Sequence, residues 1–299
     1  MKKAKRKHNS RSYLLTKREK IILGIVFVLL LIYALSLIFP FFFLLMNSFK
    51  DEVEYFYDST GFPKTPTFEN YITLFSGYKV GTGIGDGEAT IGEMFWNSIS
   101  LAVVETVTSM FFTCCAAYVL AKYKFPGNKF LYTFVIVSSV VPTIAAISAT
   151  YRLMSDIQLI GTFIGMIIMN CGAFTGGFLY IHSYFKSIPW SFAESAMIDG
   201  ASDFKIFFRI MIPMAKNGIL TFTILRFLGF WNEYWIPYLF YPNHPTLGVG
   251  LTLLKAEAVN TGSYTMLFAA MIVAIVPILI FYAIFQKQLL SNTIDGGLK

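Results

Sequence analysis

The sequence predicts an all-α polytopic membrane protein, and three observations predict it. Hydrophobic residues make up 56% of the 299 positions and charged residues only 14%, where soluble domains carry about a quarter charged. Phe alone occurs 31 times, and apolar residues gather into runs instead of spreading along amphipathic patterns. A run of about 20 apolar residues crosses the roughly 30 Å hydrocarbon core as a helix, and six such runs are present.

The chain opens on nine basic residues in its first twenty (Lys2, Lys3, Lys5, Arg6, Lys7, Arg11, Lys17, Arg18 and Lys20). A basic tail, residues 1–20, leading straight into an apolar helix is a cytoplasmic topology signal. The net charge of +7 is therefore read as that signal and not as a nucleic-acid arm. Residues 21–49 form the first span. Its apolar stretch exceeds the 7–15 residues of a secretory signal and runs into Phe41, Phe42 and Phe43, so it is read as a retained helix.

Residues 50–94 follow as an acidic outer loop. Within it, Gly81, Gly83, Gly85 and Gly87 superficially suggest a phosphate loop, but no strand is expected before them and no Lys-Ser or Lys-Thr follows. A flexible loop is expected there. The core, residues 95–289, holds the other spans: Phe95–Ala121, Phe130–Thr150, Ile157–Ile181, Gly218–Tyr241 and Met266–Phe285. Residues 290–299 form a C-terminal tail. Lys and Arg divide 18 against 5 between the inner and outer segments, with Arg226 inside a span. That bias places both termini in the cytoplasm. Cys114, Cys115 and Cys171 lie in apolar spans, where cysteines act as small hydrophobes.

The segment 187–213, inside the long cytoplasmic loop between the fourth and fifth spans, is the most informative. Ser191 and Glu194 have capping-box spacing, which starts a short helix at about Phe192. Gly200 stops it, because glycine tolerates the left-handed conformation of a helix C-terminus. Ser202 is expected to cap a second helix bearing Phe204, Phe207, Phe208 and Met211, with Pro213 marking its end. Two short helices with apolar side chains toward the cytosol make a knob that needs a partner to cover it.

Glu194-Ser195-Ala196, Asp199-Gly200-Ala201, Phe207 and Pro213 resemble the "EAA" loop of permease subunits in binding-protein-dependent ABC importers. Ser195 departs from the usual alanine. Phe95-Trp96-Asn97-Ser98, Trp231-Asn232-Glu233 and the terminal Gly296-Gly297-Leu298-Lys299 resemble the carbohydrate, MalG-like branch of that family. The resemblance implies a MetI-like core of six transmembrane helices, with a cytoplasmic coupling helix between the fourth and fifth. It implies that Glu194, Ser195, Ala196, Asp199, Gly200, Ala201, Phe204, Phe207 and Pro213 meet an ATPase subunit dimer. It further implies that Gly296 to Lys299 reach the ATPase interface and that about Pro242 to Thr265 probe an extracellular solute-binding protein. A second homologous permease, the bilayer of a bacterial plasma membrane and a carbohydrate substrate complete the implied partners, with no nucleic acid among them.

The chain carries no G-x-x-x-x-G-K-[ST] and no HExxH, so no catalytic or metal-ligating residue is expected and no cofactor in this chain. ATP and Mg belong to the partner ATPase. Charges inside spans cost about 2.5–3.5 kcal/mol each and mark interior or functional positions. Arg226 and Glu233 stand seven residues apart in the fifth span, on one helix face roughly 10 Å apart. With Asn170, Trp231, Asn232 and Trp235 they are the expected translocation-path residues, against the alternatives of charges satisfied between helices and an interfacial aromatic belt. Gly161/Gly165 and Gly172/Gly176 are expected to let the fourth span pack closely, and Pro142, Pro237 and Pro277 to kink their spans. Two other functions fit less of the chain. A secondary transporter would spread charges over several spans and leave the cytoplasmic loop unexplained; an importer permease for another solute, such as phosphate, a peptide or an amino acid, is the other alternative, with the Trp-Asn-Glu segment and the terminal Gly-Gly-Leu-Lys as the discriminators.

Overall fold

The computed structural model describes residues 16–81, 88–140, 146–174 and 176–296, and these are mostly helical. Helix α1 (Lys17–Ser48) begins with a capping box: Thr16 Oγ1 accepts from Glu19 N, and the Glu19 carboxylate accepts from Thr16 N at 2.7 Å. It runs through Pro40, and only Met46, Asn47 and Ser48 at its far end are buried. The basic tail before Thr16 lies outside the described residues.

The acidic outer segment after α1 is built from short elements, and a strand stands before the glycine-rich stretch where none was expected. Short helices α2 (Glu52–Tyr57) and α3 (Glu69–Phe75) precede an antiparallel hairpin of β1 (Lys79–Gly81) and β2 (Glu88–Thr90), with Val80 opposite Ala89. The reason is that its polar groups find internal partners. Lys50 is fully buried and donates to the Asp58 carbonyl at 2.7 Å, and the Asn70 amide donates to the Ser48 and Lys50 carbonyls at 2.8 Å each. The glycine-rich residues 82–87 lie outside the described residues.

A second capping box, Thr90 with Glu93, starts α4 (Ile91–Lys122) four residues ahead of the expected Phe95. Then come α5 (Asn128–Val140), α6 (Ile147–Asp156), α7 (Phe163–Asn170) and α8 (Phe178–Ser187). The 187–213 loop contributes α9 (Ser191–Ile198), α10 (Asp203–Ile206), a π-helical turn at Phe207–Met211 and α11 (Ile212–Met214). Last are α12 (Lys216–Asn232), α13 (Trp235–Phe240), α14 (Leu247–Thr261) and α15 (Tyr264–Gly296), the last running unbroken through Pro277.

Among the described residues, three helices are long and apolar enough to cross a membrane: α1, α4 and, in α15, Tyr264–Gln288. The stretches expected as the fourth and fifth spans are each two helices, not one. In the third, α5 and α6 stand on either side of residues 141–145, which, Pro142 included, lie outside the described residues. In the fourth stretch the chain leaves the helix at Cys171 and re-enters at Phe178. Gly161, Gly172 and Gly176 therefore sit outside helices, and the close approach expected of that span is made by Gly177. A Cβ there would fall 1.7 Å from the Phe222 ring, which sets α8 hard against α12. In the fifth stretch Pro237 is the cause: its ring would strike the Glu233 carbonyl four residues back if the helix continued.

The segment expected as a loop from about Pro242 to Thr265 is largely α14, which packs on α4 and α15. A Cβ on Gly250 would meet Met94 Sδ at 2.2 Å. The Tyr78 phenol donates to Glu257, pinning the hairpin to this helix. Apolar packing divides into three regions. One surrounds Tyr118, Phe178, Phe185 and Met211 beside the 187–213 loop, one surrounds Met94, Trp231, Leu254 and Leu267, and a third joins Leu101, Met154, Met166 and Phe240.

Candidate functional site

The loop is held in shape by its backbone. Trp190, following Pro189, is already in a right-handed helical conformation, and its carbonyl accepts from Ala193 N at 2.8 Å and Glu194 N at 3.1 Å. The first helix thus starts a residue early, and the expected Ser191 cap does not form: no side chain caps α9. Ser195 Oγ instead donates to the Ser191 carbonyl at 2.9 Å, so the serine standing for the usual alanine is satisfied within its helix. At the other end Gly200 has φ +78°. Its N–H bonds to the Met197 carbonyl at 3.0 Å and that of Ala201 to the Ala196 carbonyl at 2.9 Å. These paired bonds are a Schellman motif, so Ala196, Gly200 and Ala201 together make the stop.

Ser202 stands at the start of α10 in extended conformation, without the expected side-chain bond. Nor does Pro213 end this helix. It sits in the first turn of α11, where the missing N–H is tolerated, directly after the π-helical turn.

One side of the loop is anchored. Ala193, Ile206, Phe207 and Met211 are buried, and the Phe207 ring lies 4.9 Å from that of Tyr118 and 6.3 Å from that of Phe185. Trp190 packs edge-on against Tyr123 at 5.7 Å, Lys122 donates to the Ile188 carbonyl, and the Tyr123 phenol donates to Asp203 at 2.9 Å. The other side is bare. Ile198 is 86% and Phe204 79% exposed, while Glu194, Asp199 and Gly200 lie on the same open surface. Of the apolar residues expected to project, Phe204 and the half-exposed Phe208 do, while Phe207 and Met211 are buried. Ile198 was missed, although an isoleucine one residue before the Asp-Gly stop is a readable signal of an apolar tip.

A second locus lies between helices. A cavity of about 290 Å³ is lined by Glu105 of α4, Asn170 of α7, Arg226 and Gly229 of α12, and Glu233 beyond it. The Asn170 amide donates to Glu105 Oε1 at 2.8 Å, and Arg226 Nη2 donates to Ser109 Oγ at 3.1 Å, its guanidinium 4.6 Å over the Phe230 ring. Arg226 and Glu233 do not share one helix face, because α12 ends at Asn232. The Glu233 carboxylate turns to accept from Trp235 N at 2.9 Å and Ile236 N at 3.3 Å, which caps α13.

Half of the expected path residues therefore converge: Asn170, Arg226 and Glu233. The rest do not reach this cavity. Trp231 is buried against Phe95 and Phe227, Asn232 donates to the Leu228 carbonyl at 2.7 Å, and Trp235 is half-exposed and stacked on Tyr238. Gly296 ends α15, and Gly297, Leu298 and Lys299 lie outside the described residues. Glu105, only 4% exposed, was missed. Its signal was one carboxylate in the apolar stretch 101–107, a position costly enough to demand a partner.

A family model for the binding-protein-dependent transport system inner membrane component matches residues 109–293. The diacetylchitobiose uptake system permease protein of Streptomyces coelicolor is 31% identical over 273 residues, covering 90% of this chain and 86% of the relative. The arabinooligosaccharides transport system permease protein of Bacillus subtilis is 30% identical over 285 residues, covering 94% and 96%. Among solved structures, a bacterial ABC transporter involved in the import of the acidic polysaccharide alginate contains a chain with TM-score 0.76 and 26% identity, covering 91% of this chain and 98% of that one. With a matched region that runs from within α4 into α15 and takes in the 187–213 loop together with Asn170, Arg226, Gly229 and Glu233, this chain belongs to the family of binding-protein-dependent transport system inner membrane components.

Proposed function

We propose that this chain is one of two homologous permease subunits of an ATP-driven ABC importer for carbohydrate, specifically an oligosaccharide. The observation that carries the coupling role is the 187–213 loop. It is a rigid knob tied to α4 on one side, with Ile198 and Phe204 bare on the other. Exposed apolar tips on a built scaffold call for a partner, and the chain has no nucleotide-binding motif of its own. The partner in this reading is an ATPase dimer, which binds the ATP and Mg and performs the hydrolysis. The resemblance assigns contacts of Gly296 to Lys299 to the same partner.

Six crossings follow from pairing α5 with α6, α7 with α8 and α12 with α13, beside α1, α4 and α15. The positive-inside bias then leaves both termini in the cytoplasm of a bacterial plasma membrane. The end of α14 turned toward the outer segment meets the solute-binding protein. Helix α4 is the transmission element. It carries Lys122 at the loop and Glu105 at the polar cavity, seventeen residues apart, roughly 25 Å along one unbroken helix. Closure of the ATPases moves the loop, α4 moves with it, and the path through Asn170, Arg226 and Glu233 changes access. ATP binding shifts that equilibrium only through contacts that differ between the two states.

Sugar as the solute is supported by the relatives in Streptomyces coelicolor and Bacillus subtilis, which are named for diacetylchitobiose uptake and arabinooligosaccharides transport. The test is uptake into proteoliposomes containing both permeases and the ATPase, with binding protein outside and ATP inside. ATP-dependent accumulation of an oligosaccharide, selected by thermal shift of the binding protein against a glycan panel, is the expected result. Ion-gradient-driven transport by this chain alone would reject it.

A further inference from the structure

The polar cavity holds hydrogen-bonding groups that the protein leaves unused. Thr246 stands at the N-terminus of α14 and is 5% exposed, yet its hydroxyl makes no capping bond and has no partner. The Leu247 N–H is taken by Ser98 Oγ at 2.7 Å instead. Arg226 commits one terminal nitrogen to Ser109, while its Nε is buried and unpartnered. Glu105 uses one oxygen on Asn170. A Cβ on Gly229 would meet nothing within 4 Å, so the wall is recessed between Arg226 and Glu233. Buried donors and acceptors are costly to leave unpaired, and these surround one void.

We propose that this cavity is a subsite for a single uncharged, hydroxyl-rich ring, one neutral monosaccharide unit of the transported chain; the inference rests on the carbohydrate-importer reading. Size limits the occupant. About 290 Å³ lies just below the 300–1,000 Å³ of small-molecule sites, which is room for one ring and not for an oligomer. Chemistry limits it further. Each sugar hydroxyl both donates and accepts, so neighbouring hydroxyls can accept from Arg226 Nε and donate to Glu105 and Thr246. An anionic ring would meet two carboxyl groups for one guanidinium. Gly229 supplies the notch that the ring enters.

The test places a thiol in that notch. Gly229→Cys is made in the assembled importer, with ATPase, second permease and binding protein, in lipid nanodiscs. Modification by a methanethiosulfonate reagent is timed against the parent, which serves as the blank for Cys114, Cys115 and Cys171. The protectants are neutral methyl glycosides (glucoside, galactoside, xyloside and N-acetylglucosaminide) and methyl glucuronoside. At twice its dissociation constant a ligand slows labelling about threefold, and this is expected for at least one neutral glycoside and not for the glucuronoside. Adding Glu105→Ala is expected to abolish the protection. Thr246→Cys gives a second position with the same expected pattern. The subsite is refuted if neither thiol is labelled, if no neutral glycoside protects either one, or if the glucuronoside protects equally, in an importer that still performs ATP-driven uptake. Loss of ATP-driven uptake in the parent would instead count against the importer reading itself.

Discussion

Tyr123 donates its phenol to the Asp203 carboxylate at 2.9 Å, tying the residue that follows α4 to the first residue of α10. Burial, together with the neighbouring Asp203 carboxylate, pushes the Tyr123 phenol well above its ordinary range. The bond therefore keeps its proton at any pH the protein meets. In the proposed coupling mechanism, motion imposed on the loop passes to α4 through this bond, the Lys122 bond to Ile188 and the Phe207 contacts with Tyr118.

Tyr123→Phe keeps the ring against Tyr118 and Trp190 and removes only the donor. The bond is solvent-exposed, so about 1 kcal/mol is at stake. The ATPase is expected to stay bound, while solute imported per ATP hydrolysed falls several-fold. An unchanged ratio would show that α4 does not carry the motion.

Gly200→Val forces a β-branched residue to φ +78°, a conformation that costs L-residues roughly 1–2 kcal/mol and more when branched. The expected product inserts normally and is uncoupled or stripped of its ATPase. Gly200→Asn tolerates the left-handed region and is expected to recover most of the transport. Equal loss in both variants would mean that backbone conformation is not the cause.

Ile198→Glu and Phe204→Glu change side chains that contribute little to the isolated chain, so its thermal unfolding is expected to stay within about 0.5 kcal/mol of the parent. Attachment of the ATPase is expected to weaken about tenfold or more, equivalent to about 1.4 kcal/mol. Sedimentation of the ATPase with permease-containing nanodiscs measures it.

Gly177→Ala drives a methyl into the Phe222 ring. Overpacking of this kind costs about 1–3 kcal/mol and is expected to lower the unfolding temperature in detergent. Phe222→Ala added to it opens the space, so the double variant should lose less than the two singles combined. Strict additivity would contradict the close approach of α8 to α12.

Hydropathy made the apolar stretches readable, and Gly200 made the loop's stop readable, because both depend on residue chemistry that acts locally. Breaks inside the fourth and fifth stretches were less readable. Average hydropathy does not register one backbone turn, and the turn at Glu233 depends on Pro237 and on a carboxylate that caps the next helix. Capping was misjudged at Ser191 because Pro189 and Trp190 had already begun the turn. Both capping boxes that do form, Thr16 with Glu19 and Thr90 with Glu93, have the same spacing that Ser191 and Glu194 offer. The Arg226–Glu233 pair was legible as charge in an apolar run, but Glu105 gains its meaning only from Asn170, 65 residues away in sequence. Which of Ile198, Phe204 and Phe207 faces out depends on where α4 and α8 lie, which no local pattern states.

The central claim is that this chain works as the membrane half of an ATPase-driven machine, docked through the 187–213 loop. The most direct measurement is tandem-affinity purification of the tagged full-length chain from its native membrane, beside the Ile198→Glu, Phe204→Glu double variant. The predicted result is a second permease in both preparations and an ATPase subunit only with the parent. Recovery of the parent as a single chain that transports solute on its own, or equal recovery of the ATPase with the double variant, would contradict it.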